Sequence, residues 1–120
     1  MKKIYRLKKE KDFKQLFYAK RSKANKQCII YYLERKNQPY LRTGISVSKK
    51  LGNAVVRNRI KRKIRRAIYE LRELFCENYD IIVIARQPMV EMSVHDIKKS
   101  LLHVLHLCHL IKNKHKVEED

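Results

Sequence analysis

The sequence predicts a single-domain α+β or α/β fold, one sheet with helices packed on it. The chain is 120 residues long, which suits one hydrophobic core. Residues 27–33 and 80–85 are short apolar runs rich in β-branched side chains and read as strands. Residues 54–75 carry apolar side chains at helical spacing and form the strongest helix signal in the chain.

In chain order, residues 1–9 are basic and expected to be extended. Phe13, Leu16 and Phe17 recur at helical spacing within 9–20, which predicts a short amphipathic helix. The strand at 27–33 ends before a turn marked by Asn37 and Pro39. Leu41, Thr43, Ile45 and Val47 alternate along 41–48 and predict a second strand, in which Gly44 either weakens the pattern or marks a close backbone approach. Residues 49–53 form a loop, with Gly52 free to take positive φ and Asn53 placed to cap the helix over 54–75. The continuous apolar run at 80–85 suits a buried strand, and a loop holding Pro88 follows. Ser93, with Asp96 three residues on, caps a last helix running to about residue 111. The tail over 112–120 is expected to fray. The order is α-β-β-α-β-α, with room for an extra short strand near Leu41. Residues 1–120 make one domain with no repeat or linker.

Thirty Lys and Arg stand against twelve Asp and Glu, a formal charge of +18. Self-repulsion of that size opposes a compact state and calls for a polyanionic partner. Nucleic acid leads, because each neutralised phosphate releases condensed counterions; an anionic membrane surface is the competitor. No apolar run approaches the ~20 residues of a spanning helix, and no signal-peptide core follows Met1, so the chain is expected to be cytoplasmic. Cys28, Cys76 and Cys108 form no CxxC pair, which argues against a disulfide framework or zinc knuckle and for inert thiols.

With Ile60 as origin and ~100° per residue, Val56, Ile64, Ala67, Leu71 and Leu74 fall in one arc, the expected buried stripe. Asn58, Arg62, Arg65 and Arg66 fall opposite, flanked by Arg59 and Lys61. From Arg35 to Tyr69 there are twelve Lys or Arg and no Asp or Glu. A solvated helix face ordinarily interleaves both signs, so this surface is expected to meet phosphates. Arginine and lysine with a single asparagine suit phosphate and shape more than base edges, and guanidinium planes also stack on unpaired bases. RNA is favoured over a DNA major groove.

Residues 44–66 (GISVSKKLGNAVVRNRIKRKIRR), with the Arg57-Asn58-Arg59 triplet just after a strand–loop–helix transition, closely resemble the signature of the bacterial ribonuclease P protein family. Arg6-Leu7, Asp12-Phe13, Ala24-Asn25 and residues 81–88 (IIVIARQP) extend the resemblance over about 5–110. It implies an α+β sandwich similar to the second domain of ribosomal protein S5, with a left-handed βαβ crossover and the order α-β-β-(β)-α-β-α. It further implies that Lys49, Lys50, Asn53, Arg57, Asn58, Arg59, Lys61, Arg62, Arg65 and Arg66 face the catalytic ribonuclease P RNA. A cleft between the first helix and the sheet would hold the 5′ leader of precursor tRNA, with Phe13, Phe17, Ile29 and Tyr31 in it and Asn25 at its entrance. Without the resemblance, Phe13 and Phe17 read as core packing at i,i+4. A glycine often found after the first helix is Lys20 here, which puts the course of that turn in question, and an aromatic often found at the start of the first strand is Cys28.

A protein-borne nuclease needs a general acid and base, or carboxylates gripping two metals. Asp12, Asp80 and Asp96 are scattered over different elements, and His103, His106 and His109 precess around a helix without an i,i+4 pair. No catalytic residue and no protein-bound metal is expected. The resemblance agrees: magnesium held mainly by the RNA subunit would do the hydrolysis, and no stable protein partner is expected. The alternatives are a non-enzymatic RNA-binding module, such as a ribosomal protein or RNA chaperone, and a DNA binder, which lacks a visible dimer seam.

Overall fold

A computed structural model describes residues 5–112. Helix α1 (Glu10–Ala19) is followed by strands β1 (Ser22–Ala24), β2 (Cys28–Glu34) and β3 (Arg42–Ser46). Helix α2 (Ala54–Leu71), strand β4 (Tyr79–Ala85) and helix α3 (Val94–Leu107) complete the order α-β-β-β-α-β-α. The four strands form one sheet in the order β1-β2-β4-β3. β2 runs antiparallel to β1 and β4, whereas β3 and β4 are parallel and joined through α2.

Strand alternation sorts the side chains onto two unequal faces. Cys28, Ile30, Ile81, Val83 and Ala85 join Ile60, Ile64, Ala67, Ile97, Leu101 and Val104 in the main core under α2 and α3. Leu41, Ile45 and Val47 point the same way, as their alternation predicts. Among the described residues, the opposite face carries the single helix α1, over a small cluster of Leu7, Leu16 and Ile82 edged by Phe13, Tyr31, Leu33 and Ile84. Gly44 faces α1: a Cβ there would stand 2.6 Å from the Phe13 ring, so the close approach is real.

Several boundaries differ from the sequence reading. The extra strand is β1 rather than a segment near Leu41. Ser-Lys-Ala has little strand propensity, and pairing with residues 29–31 of β2 holds it extended. The α-helix predicted to Phe75 ends at Leu71 and tightens into a 3₁₀ turn over Arg72–Leu74. Leu74 is therefore 39% exposed, while Ile68 and Phe75 are buried in its stead. The loop after β4 contains a 3₁₀ turn, Gln87–Glu91, with Pro88 in its first turn. α3 stops at Leu107, and His109 takes φ 61° beyond it. Of the tail expected to fray, only Lys112 lies among the described residues. No helix of the described residues is long and apolar enough to cross a membrane.

Candidate nucleic-acid interface

The approach to α2 is built by local hydrogen bonds. The Ser48 hydroxyl accepts from the Lys50 amide at 3.1 Å and starts a short 3₁₀ turn, Lys49–Leu51. Gly52 follows with φ 152°, where a Cβ would meet Val56 Cγ1 at 2.7 Å, so only glycine fits. Asn53 Oδ1 accepts from the Val56 amide at 3.0 Å, the cap expected of it. Arg57 Nε donates to the Gly52 carbonyl at 3.2 Å and braces the loop against the helix.

From this start α2 runs for 18 residues, about 27 Å at 1.5 Å per residue. Ile60, Ile64, Ala67, Ile68 and Leu71 are buried on its inner side. Lys49, Lys50, Asn53, Asn58, Arg59, Arg62 and Arg66 are exposed, and Arg57, Lys61 and Arg65 are half-buried. All ten sequence-predicted interface residues therefore lie on one loop–helix unit. Among the described residues, no ion pair joins Lys49, Lys50, Arg57, Arg59, Lys61, Arg62 or Arg65. Arg66 is the exception: its Nε donates to Glu70 at 2.6 Å, and Lys98 of α3 meets the same carboxylate at 3.0 Å. Hydrogen bonds from Arg66 and then Lys98 hold the Glu70 pKa below its ordinary value. Arg65 has the opposite neighbourhood, since burial and then the nearby Arg6 guanidinium lower its pKa. Two cations side by side without a carboxylate are a ready anion site.

The second candidate region lies under α1. The Phe17 ring meets Tyr31 edge to face, with centroids 4.9 Å apart. Phe17 is 41% exposed and Tyr31 half-buried, so the pair presents open aromatic surface. Phe13 is tucked onto Gly44 instead, and serves as a pivot of α1. Ile29 pairs with Ile84 across β2 and β4, and Ser46 continues that row on β3. This row is half-buried, and Ser46 stands three residues before Lys49 of the loop. Ile84 and Ser46 were missed in the sequence, although their register follows from period-two alternation once the pairing is known. Asn25 stands apart from this group. Its Oδ1 accepts from the Gln27 and Cys28 amides, each at 2.9 Å, and its Nδ2 donates to Ser100 Oγ at 2.9 Å and to the Ser100 carbonyl at 3.1 Å on α3. The side chain thus ties the β1–β2 turn to the face opposite α1.

The far end of the α1 face is closed by charge. Asp80 is fully buried and accepts from Arg42 Nη2 at 2.6 Å, Arg35 Nε at 2.9 Å and Gln38 Nε2 at 3.0 Å. Asp12 of α1 approaches Arg42 at 3.5 Å and Arg35 at 3.7 Å. Burial pushes the Asp80 carboxyl up, but the hydrogen bonds from Arg42, Gln38 and Arg35 outweigh it and hold the pKa below the usual range.

Comparison with known proteins decides the family. A family model described as Ribonuclease P matches residues 1–109. The ribonuclease P protein component of Geobacillus kaustophilus is 56% identical over 105 residues, covering 88% of this chain and 87% of that protein. The chain belongs to the ribonuclease P protein family. Solved structures of the family agree with its fold. The RNase P protein of Staphylococcus aureus is 44% identical, with a TM-score of 0.79 over 90% of this chain and 98% of that one. That of Thermotoga maritima is 27% identical, with a TM-score of 0.76 over 83% and 94%.

Within the family, the two departures have simple structural outcomes. Lys20 takes φ 58° and ψ 23°, the left-handed conformation a glycine adopts freely, so the turn keeps a glycine-like course at a small cost in strain. Cys28 is buried towards α3, away from the α1 cleft; burial pushes its thiol up to about 11 and that of Cys108 to about 12. Burial thus favours the protonated, weakly nucleophilic thiol at both positions. His103, His106 and His109 are all exposed. Among the described residues, no group of three or more His, Cys, Asp or Glu side chains is placed to hold a metal ion.

Proposed function

We propose that this chain is the RNA-binding protein subunit of a ribonucleoprotein endoribonuclease, acting on precursor tRNA to support removal of its 5′ leader. The observation that carries this reading is the cationic surface of α2 and its capped loop, where Arg66 pairs with Glu70 and Lys49, Lys50, Arg57, Arg59, Lys61, Arg62 and Arg65 have no ion-pair partner among the described residues. The buried stripe orients the guanidinium groups, so little side-chain or backbone order must be gained on meeting the ribonuclease P RNA. Each phosphate contact adds counterion release to the affinity.

The α1 cleft supports the second half of the proposal. Phe17 and Tyr31 offer a stacking surface beside the apolar Ile29 and Ile84, which reads no particular sequence. A leader laid there adds affinity for precursor over mature tRNA, which has nothing to fill the cleft. Phe13 contributes indirectly by setting the height of α1, and Asn25 by shaping the edge turn.

The chemistry belongs to the RNA partner in this proposal, with magnesium held mainly there. Of the chain's carboxylates, Asp80 and Asp12 are already engaged by Arg35 and Arg42, which supports leaving the metal to the RNA. The chain instead screens repulsion between two polyanions and positions the leader. A cytoplasmic location accords with these substrates.

Reconstitution tests the proposal directly. Adding the chain to a bacterial ribonuclease P RNA at low magnesium should restore 5′ maturation of a precursor tRNA. RNA binding without stimulation would instead favour a non-catalytic RNA-binding module.

A further inference from the structure

On the sheet face opposite α1, the C-terminal end of α2 and the start of β3 enclose a concavity of about 520 Å³. The rings of Tyr5, Tyr40 and Tyr69 line it, with Leu41 and Ile68 between them and Glu73 also in its wall. Tyr5 and Tyr40 meet edge to face at 5.1 Å between centroids. The Arg72 guanidinium lies 3.9 Å over the Tyr69 ring, held there by donating to the Tyr69 carbonyl at 2.7 Å. Neither the α1 cleft nor the loop at Lys49 uses this concavity.

Its position along α2 is informative. Asn58, Arg62, Arg65, Tyr69 and Arg72 follow at steps of four, three, four and three, which places them on one stripe of the helix. The phosphate-binding stripe therefore runs into the tyrosines. One turn before Tyr69, Arg65 lies near Arg6, and among the described residues neither has an ion-pair partner. Arg6 Nε is buried with no hydrogen-bond acceptor among the described residues.

We propose that this concavity binds an unpaired nucleobase of an RNA strand whose backbone follows the α2 stripe, with the phosphate on Arg6 and Arg65. The inference rests on α2 being an RNA-binding helix and adds a second, separate base site to it. Tyrosine faces and a guanidinium plane stack on any base. Glu73 offers an acceptor for an exocyclic amine, and because Arg72 and Lys112 in the lining are balanced by Glu73 and Glu77, with Glu77 paired to Lys112, the pocket itself has no excess positive charge for a phosphate. Base inside and backbone outside is the arrangement that this charge distribution selects.

The test is a solution NMR titration of the full chain at constant ionic strength, with adenosine 5′-monophosphate in one arm and inorganic phosphate in the other. The nucleotide should shift the ring signals of Tyr5, Tyr40 and Tyr69, whereas phosphate should move signals along α2 and leave those rings still. Tyr69→Ala should weaken the ring response about tenfold, and Tyr69→Phe, which keeps the stacking face, should restore it. Equal responses to both anions, or nucleotide shifts confined to Phe17 and Tyr31, would overturn the base site. So would contacts from residues 1–4 or 113–120 to the Tyr40 and Tyr69 rings that the nucleotide does not displace, since the chain's own ends would then fill the pocket. Phosphate shifts along α2 with silent tyrosines reject this site alone; silence in both regions would reject the RNA-binding reading of α2 as well.

Discussion

Two groups of arginines in this chain have opposite surroundings. Arg35 and Arg42 converge on buried Asp80, with Asp12 behind them, and close one end of the sheet. Arg59, Arg62 and Arg65 lie on α2 with no carboxylate paired to them among the described residues. The side chain is the same in both places, so its role is set by whether the fold supplies an acceptor. Where it does, the guanidinium locks strands and α1 together. Where it does not, the charge remains available to an external phosphate.

Substitutions can separate the two roles, and the largest effect belongs to the locked end. Asp80→Ala strands two half-buried cations and should lower unfolding stability by about 3–5 kcal/mol, measured by denaturant titration. The RNA affinity of the molecules that remain folded should be nearly unchanged; a large loss of affinity at full folding would merge the two groups. Acid should act on the same site. A carboxyl held low in the folded state stabilises it above the unfolded pKa, and that contribution is lost as pH falls through the folded value. Asp80→Asn should therefore flatten the acid side of the stability profile below about pH 4.

Gly44→Ala comes next, because its methyl must displace the Phe13 ring. It should cost about 1–3 kcal/mol and lower the preference for precursor over mature tRNA by tilting α1, while binding to the ribonuclease P RNA persists. Within α2 itself, Arg62→Ala should flatten the salt dependence of RNA binding by about one unit. Arg66→Ala should change it less, because Glu70 already holds that guanidinium; equal changes would remove the distinction between paired and unpaired cations. The smallest effect is expected at Lys20→Gly, where relief of a left-handed backbone should raise stability by no more than about 1 kcal/mol without altering RNA binding.

What could be read from the sequence was what neighbouring residues decide. The caps at Asn53 and Ser93, the positive φ of Gly52 and the cationic side of α2 all follow from spacing within a turn or two. The mixed α+β class and the alternation of β3 were legible for the same reason. Features set by distant partners were not. Arg35 and Arg42 counted towards an uncompensated run until the fold brought Asp80, 45 and 38 positions away, against them. β1 exists only through its pairing with β2. The end of α2 was misread because Phe75 leaves the helical path to bridge Ile111, and helical spacing then assigns Leu74 to the core in error. The bonds from Asn25 to Ser100 of α3, 75 positions away, are another contact that local spacing does not reveal.

The most direct measurement is the affinity of the chain for ribonuclease P RNA across a range of salt concentrations, with and without Arg59, Arg62 and Arg65 changed together to alanine. With one phosphate contact per guanidinium, the slope of log affinity against log salt should fall by about three units, with stability unchanged. A triple variant that keeps the full slope would contradict the account, because the unpaired arginines of α2 would then hold no phosphate.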